Sequence, residues 1–249
     1  MSGRAIAAMT HAQRMAANRE KRRRVLAFLR SEIWTTPGVL CSLLGDRGAT
    51  SRLVAGLVRD GLVVVEDIPF GRKVVGITLD GQAVAAALVG KEFVARAHEM
   101  GRVPLATLEH RCDLQRLRIA CAKAGWGGWT YPDRVPVSKK AGKDAHRPDA
   151  LATTPDGVRV ALEVERTPKT AKRYRFILGR HLDAIRRGEY SCVLYTCPDA
   201  ARVKGVRAII HGLGHAVVGG VDKKLTEADL DHFDFLSYDD TPNWQPKEH

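Results

Sequence analysis

The feature that most constrains this chain is an acidic strand pair. Arg147-Pro148-Asp149-Ala150-Leu151 is followed by Val160-Ala161-Leu162-Glu163-Val164-Glu165, and Pro155-Asp156-Gly157 lies between them. A turn of that composition predicts that the flanking runs fold back on each other as two strands. Side chains alternate along a strand. Val158, Val160, Leu162 and Val164 are therefore expected on one side, and Arg159, Ala161, Glu163 and Glu165 on the other. The turn brings Asp149 within reach of the two glutamates. Three converging carboxylates suit a hard cation, Mg²⁺ or Mn²⁺. In a basic chain that chemistry points to hydrolysis or transfer of nucleic-acid phosphodiesters.

The basic character is marked. The formal net charge is +12 over 249 residues and the pI is near 9.8. This favours an anionic partner, with double-stranded DNA as the expectation. From Glu227 onward the acids Glu227, Asp229, Asp231, Asp234, Asp239, Asp240 and Glu248 face one base, Lys247. A block of like charge reads as a solvated tail over residues 226–249. The cysteines Cys41, Cys112, Cys121, Cys192 and Cys197 are odd in number, and their spacing matches no zinc site. Reduced thiols and a cytoplasmic location are the expectation, with no leader segment and no membrane association, because no apolar run approaches the roughly 20 residues a span needs.

Residues 1–21 read as an Ala-rich, basic segment, either a weak helix or a mobile arm. Lys21-Arg22-Arg23-Arg24 follows, either as the wet start of a helix or as a grip on phosphates. Apolar periodicity predicts a short helix over Val25 to Ile33 and a second opened by Thr36-Pro37. A third is expected to be capped by Thr50 or Ser51 and to end at Gly61. Two strands, Leu62 to Val65 and Lys73 to Leu79, flank a turn containing Gly71-Arg72-Lys73, and a helix closes at Val89. Three helices and a basic-tipped hairpin over residues 22–90 resemble a winged helix-turn-helix domain. The resemblance implies Thr50, Ser51 and Arg52 at the major groove, with Arg72 and Lys73 at phosphate or the minor groove.

Residues 91–103 are predicted as a connecting helix. A second domain then spans residues 104–225. It opens with a long helix from Thr107 to Lys123 that carries Glu109, His110 and Asp113. Gly125-Trp126-Gly127-Gly128-Trp129 ends that helix and starts a strand, and Val135 to Ala145 reads as a basic loop with Lys139, Lys140 and Lys143. The acidic strands follow. Pro168 is expected to open a cationic helix to about Arg187. Tyr190 to Cys197 reads as a buried strand, and His215 to Val218 as the last short one.

That order, with Pro148-Asp149 and Glu163-Val164-Glu165, resembles the PD-(D/E)XK nuclease superfamily. The winged helix in front makes the pairing similar to the replication-relaxation proteins and MobC-type relaxases of mobile elements. The resemblance implies an α/β (α+β) fold, with a central mixed sheet flanked by helices behind the winged helix-turn-helix. It implies Asp149 and Glu163 as metal ligands, holding Mg²⁺ or Mn²⁺. Glu165 stands where the superfamily usually has a lysine. Lys169, read as one turn into the next helix, is the candidate to supply that ammonium, and Glu109 is the candidate helix-borne acid. Lys172, Arg173 and Tyr174 complete the expected DNA contacts. The implied activity is DNA nicking in plasmid or mobile-element replication or mobilisation, alongside other proteins of that process. The sequence sets no oligomeric state.

Each residue also has a plainer meaning. An Asp after Pro is often a turn residue, and Glu163 and Glu165 can be the wet face of an exposed sheet. His110 and the two tryptophans read as core, and His146 as a weak candidate for phosphate contact. A second function therefore stays open: a catalytically silent DNA-binding regulator or mobilisation accessory protein with the same fold. A third is an interaction scaffold that does not touch DNA.

Overall fold

The computed structural model describes residues 9–132 and 146–246. The basic loop of Lys139, Lys140 and Lys143 lies outside the described residues, as do residues 1–8 of the N-terminal arm. The chain divides into two compact units, Met1–Arg116 and Leu117–His249. The fold is mixed α/β, and no helix among the described residues is long and apolar enough to cross a membrane.

In the first unit, α1 spans His11–Glu32, β1 Trp34–Thr35, α2 Pro37–Leu44, α3 Arg47–Arg59, β2 Val63–Ile68, β3 Arg72–Ile77 and α4 Leu79–Val89. Of the N-terminal stretch expected as a weak helix or an arm, residues 11–21 form the first half of α1. Thr10 and Gln13 form a capping box, and the Ala, Arg, Lys and Glu content that gives no apolar stripe is good helix material. The basic run sits inside this helix, where Arg22 pairs with Asp60 and Arg23 with Glu20. Thr36 caps α2 and Pro37 takes its first turn, as its sequence indicates. Helix α3 starts earlier than expected, because Asp46, not Thr50 or Ser51, caps it through Ala49 N.

The sheet of this unit is ordered β1-β3-β2 and is antiparallel throughout. Its core includes Val25, Leu29, Leu40, Leu57, Val75 and Ile77, all fully buried. Gln115 closes it beneath β1, accepting from Thr35 Oγ1 at 2.7 Å and donating to Trp34 O at 2.9 Å.

The connecting helix expected over residues 91–103 does not form. That stretch is a strap held by specific bonds instead. His98 N donates to Ile77 O at 2.8 Å, His98 Nε2 meets Glu66 at 2.6 Å, and Gly101 N donates to Glu66 Oε1 at 2.8 Å. The His98 ring fills the space a side chain at Gly76 would take. These side-chain and long-range bonds outcompete a local helical ladder.

Helix α5, Leu108–Lys123, crosses the division between the units, and a 3₁₀ turn at Leu105–Thr107 precedes it. The second unit continues with β4 Gly127–Thr130, β5 Ala150–Thr153, β6 Arg159–Val164, α6 Ala171–Arg186, β7 Cys192–Cys197, α7 Ala200–His211, β8 His215–Val218, β9 Val221–Lys224, α8 Glu227–Leu230 and β10 Phe233–Ser237. Its main sheet is ordered β10-β7-β6-β5-β4. Strands β4, β5 and β6 pair antiparallel, while β6 with β7 and β7 with β10 are parallel.

Two expectations fail here. His215 to Val218 is not the last strand, because β9 and β10 follow it; among the described residues it pairs with β9 in a separate two-stranded hairpin. The stretch taken for a solvated tail supplies the edge strand β10. Phe233 and Phe235 alternate into the core at 2% and 3% exposure, and the Phe235 ring stacks on Tyr195 at 5.6 Å. The nearby acids sit on the other face or at turns, so net charge hid the alternation.

Candidate functional site

The acidic strand pair folds as a hairpin with the register Ala150↔Leu162 and Thr153↔Arg159. Asp149 stands just before β5, and its Oδ2 accepts from Val164 N at 2.8 Å. This bond places Asp149 beside the residue that separates Glu163 from Glu165, at one end of the β5–β6 pair. The glutamates do not lie on a wet face. The parallel pairing of β6 with β7 and the packing of α6 cover them, leaving each at 3% exposure.

Each buried carboxylate meets its own partner. His146 Nε2 lies 2.8 Å from Glu163 Oε1, and His181 Nε2 lies 3.2 Å from the same oxygen. His181 belongs to α6 and is fully buried. Its Nδ1 is 2.8 Å from the Tyr190 hydroxyl, and its ring stands edge-on to that of His146 with centroids 5.0 Å apart. Glu165 pairs with Lys169, and the Tyr174 hydroxyl accepts from Lys169 N at 3.1 Å.

The electrostatics follow from burial and partners. Burial alone would raise the Glu163 pKa, but the hydrogen bond from His146 opposes it, and the carboxylate is held below the ordinary value. Burial lowers the pKa of His181, which Glu163 opposes only in part, so its imidazole is neutral at neutral pH. Burial also raises the pKa of Glu165, against the pull of Lys169.

The remaining expected residues fall into two groups. Lys169 does meet Glu165, but it precedes the helix and is not one turn into it, because Thr170 is the cap of α6. Lys172 and Arg173 are exposed on the first turn of α6, as phosphate contacts must be. Tyr174 is fully buried, with its hydroxyl against Lys169 N. Glu109 pairs with Arg72 inside the first unit.

Thr50 is buried and its hydroxyl donates to Asp46 O, which removes it from any base edge. Ser51 and Arg52 remain exposed on α3. Lys73 pairs with Asp67 at 2.9 Å, and both Arg72 and Lys73 lie on β3 below the hairpin tip. The tip is Pro69-Phe70-Gly71, where Phe70 is 92% exposed with φ 66°.

Two residues escaped the sequence reading. His181 was hidden because it replaces an apolar side chain on the buried stripe of Tyr174, Ile177, Leu178 and Leu182; a lone polar residue on that stripe was its signal. Phe70 was hidden by the basic pair after it. Comparison with protein-family models, curated proteins and solved structures finds no match to this chain.

Proposed function

We propose that this chain binds double-stranded DNA through its first unit and cleaves a phosphodiester at the Asp149–Glu163–Glu165–Lys169 cluster of its second. One observation carries the reading: Asp149 is docked on Val164 N, between the two glutamates, at the end of an antiparallel hairpin. The strand-and-helix order α5-β4-β5-β6-α6-β7 agrees with a PD-(D/E)XK core, and α1 to β3 agree with a winged helix-turn-helix. The basic net charge supports a phosphate backbone as partner. Nicking in replication or mobilisation of a plasmid or other mobile element is the activity that fits both parts.

The donors round Glu163 are two imidazole nitrogens and a carboxylate, which suit Mn²⁺ better than Mg²⁺ with its demand for oxygen ligands. A divalent ion held by Glu163 would activate water and neutralise charge on the phosphate. The chain's own contribution is positioning. Glu165 holds the Lys169 ammonium beside the carboxylates, where a cation stabilises charge that develops on phosphate. On the DNA-binding side, Arg52, exposed on α3, would meet the major groove, and Phe70, 92% exposed at the hairpin tip, would wedge between base steps in the minor groove.

The test is nicking of a supercoiled plasmid carrying DNA from around the coding locus, with Mn²⁺, Mg²⁺ or EDTA. The wild type is expected to nick with a divalent metal, and Glu163→Ala and Lys169→Ala are expected not to. Nicking that survives Glu163→Ala overturns the reading. DNA affinity, measured separately, is expected to fall about tenfold or more in both Phe70→Ala and Arg52→Ala without loss of stability.

A second reading has its own observation. Glu165 replaces the usual lysine and itself engages Lys169, which leaves that ammonium neutralised. A silent DNA-binding regulator or mobilisation accessory protein would show salt-sensitive binding that persists in EDTA, with no nicking in any metal.

A further inference from the structure

We infer that His146, Glu163 and His181 form a binding site for a first-row transition metal of the Zn²⁺ or Mn²⁺ class, and not for Mg²⁺. One ligand atom from each residue lies within 4.8 Å of the others. Two imidazoles and one carboxylate make a donor set that such ions accept, in a three-ligand arrangement that leaves further positions open. The metal identity deepens the nuclease reading; the site itself stands without it.

A second feature points at an ion. His181 Nε2 is buried, faces Glu163 at 3.2 Å and makes no hydrogen bond among the described residues. Its other nitrogen is occupied by the Tyr190 hydroxyl. If Nδ1–H donates to that hydroxyl, Nε2 carries a lone pair towards a carboxylate oxygen. Two electron-rich atoms then face each other in a buried setting, and a cation between them resolves the conflict. Tyr190 in that case is the outer-shell group that fixes the ring for ligation.

Among the described residues, this site also has an open side. A cleft of about 410 Å³ reaches His146, and Arg147, Arg180 and Arg187 are among its lining residues. Its volume admits a ligand of roughly nucleotide size, and the guanidinium groups fit phosphate. Asp183 and Glu189 line it as well, and Glu189 pairs with Arg187 at 2.7 Å.

The experiment is titration of the EDTA-stripped full-length protein with Zn²⁺, Co²⁺, Mn²⁺ and Mg²⁺ by calorimetry, with the visible absorption of Co²⁺ as a report on nitrogen ligation. One equivalent of Zn²⁺ or Co²⁺ is expected to bind at least about a hundredfold tighter than Mg²⁺. His146→Ala is expected to weaken that binding about a hundredfold and to remove the Co²⁺ band, while far-ultraviolet circular dichroism is unchanged. His146 is the partly exposed member of the set, so this variant can fold where a change at His181 does not. His146→Cys, which offers a thiolate, is expected to shift the Co²⁺ spectrum instead of abolishing it. Failure of Zn²⁺ and Co²⁺ to bind, or binding indifferent to His146→Ala, overturns the site. Binding without plasmid nicking keeps the site and removes the nuclease reading. Mg²⁺-supported nicking by His146→Ala keeps the nuclease and removes the site.

Discussion

Glu163 and Asp229 show how differently two acids of one chain are held. Glu163 is enclosed by imidazoles at the end of a strand, and its low pKa reflects the hydrogen bond from His146 against the cost of burial. Asp229 caps nothing catalytic. Lys223 donates to both of its oxygens at 2.6 Å and 2.7 Å, and Thr226 donates from N and Oγ1. Burial opposes ionisation of Asp229, but these bonds win and take its pKa down to about 2 from 3.8. The folded value lies below the unfolded one, so the bond network stabilises the fold fully above about pH 4. That contribution is lost as the pH falls through about 2. Urea unfolding from pH 6 to pH 2 is expected to show a shallower acid loss for Asp229→Asn than for the wild type. Equal slopes would show that the native pairing does not depend on charge. The polar pattern Thr226-x-x-Asp229 is a legible capping box. The Lys223 contact is not legible, because it is set by how the β8–β9 hairpin turns back.

Helix α6 is the element on which the second unit depends. Its buried stripe of Tyr174, Ile177, Leu178 and Leu182 joins the main core with Val193, Tyr195, Phe233 and Phe235. Gly179 lies on the side that meets β8, and a Cβ there would collide with the Val217 carbonyl. That carbonyl is backbone and cannot turn away. Gly179→Ala, which improves helix propensity by about 1 kcal/mol, is nevertheless expected to destabilise by roughly 1–3 kcal/mol through overpacking. Chemical denaturation of the variant decides it: a gain in stability would mean that α6 and β8 are not in direct contact. The same element shows what was legible. The amphipathic run and the cap-forming Thr170 mark a helix in the sequence, although Pro168 was read as its start. Which strand Gly179 meets was not marked, because close approach has no local sequence sign.

At the scale of the whole molecule, the last part of the chain belongs to the fold. Strand β10 pairs along its length with β7, and Trp244 Nε1 donates to Asp234 Oδ2 at 2.9 Å while its ring meets Trp126. A chain ending at Leu225 is expected to lose the cooperative unfolding of the second unit and to aggregate, because the β7 edge and the sites of Phe233 and Phe235 are laid open. A melting temperature equal to that of the full chain would restore the solvated tail. The sequence by itself determined the local elements: the helix over Leu108–Lys123, the hairpin that carries Asp149 and Glu163, and the buried strand ending at Cys197. Caps, turn residues and apolar periodicity act over a few residues, so they can be read from the order of side chains alone. Only the tertiary structure decided that β10 closes the sheet, that Glu109 pairs with Arg72 and that Tyr174 is buried. It also decided that His146 and His181 converge on Glu163. Those outcomes depend on which surfaces bury the most apolar area together, and that is a property of the packed chain rather than of any segment.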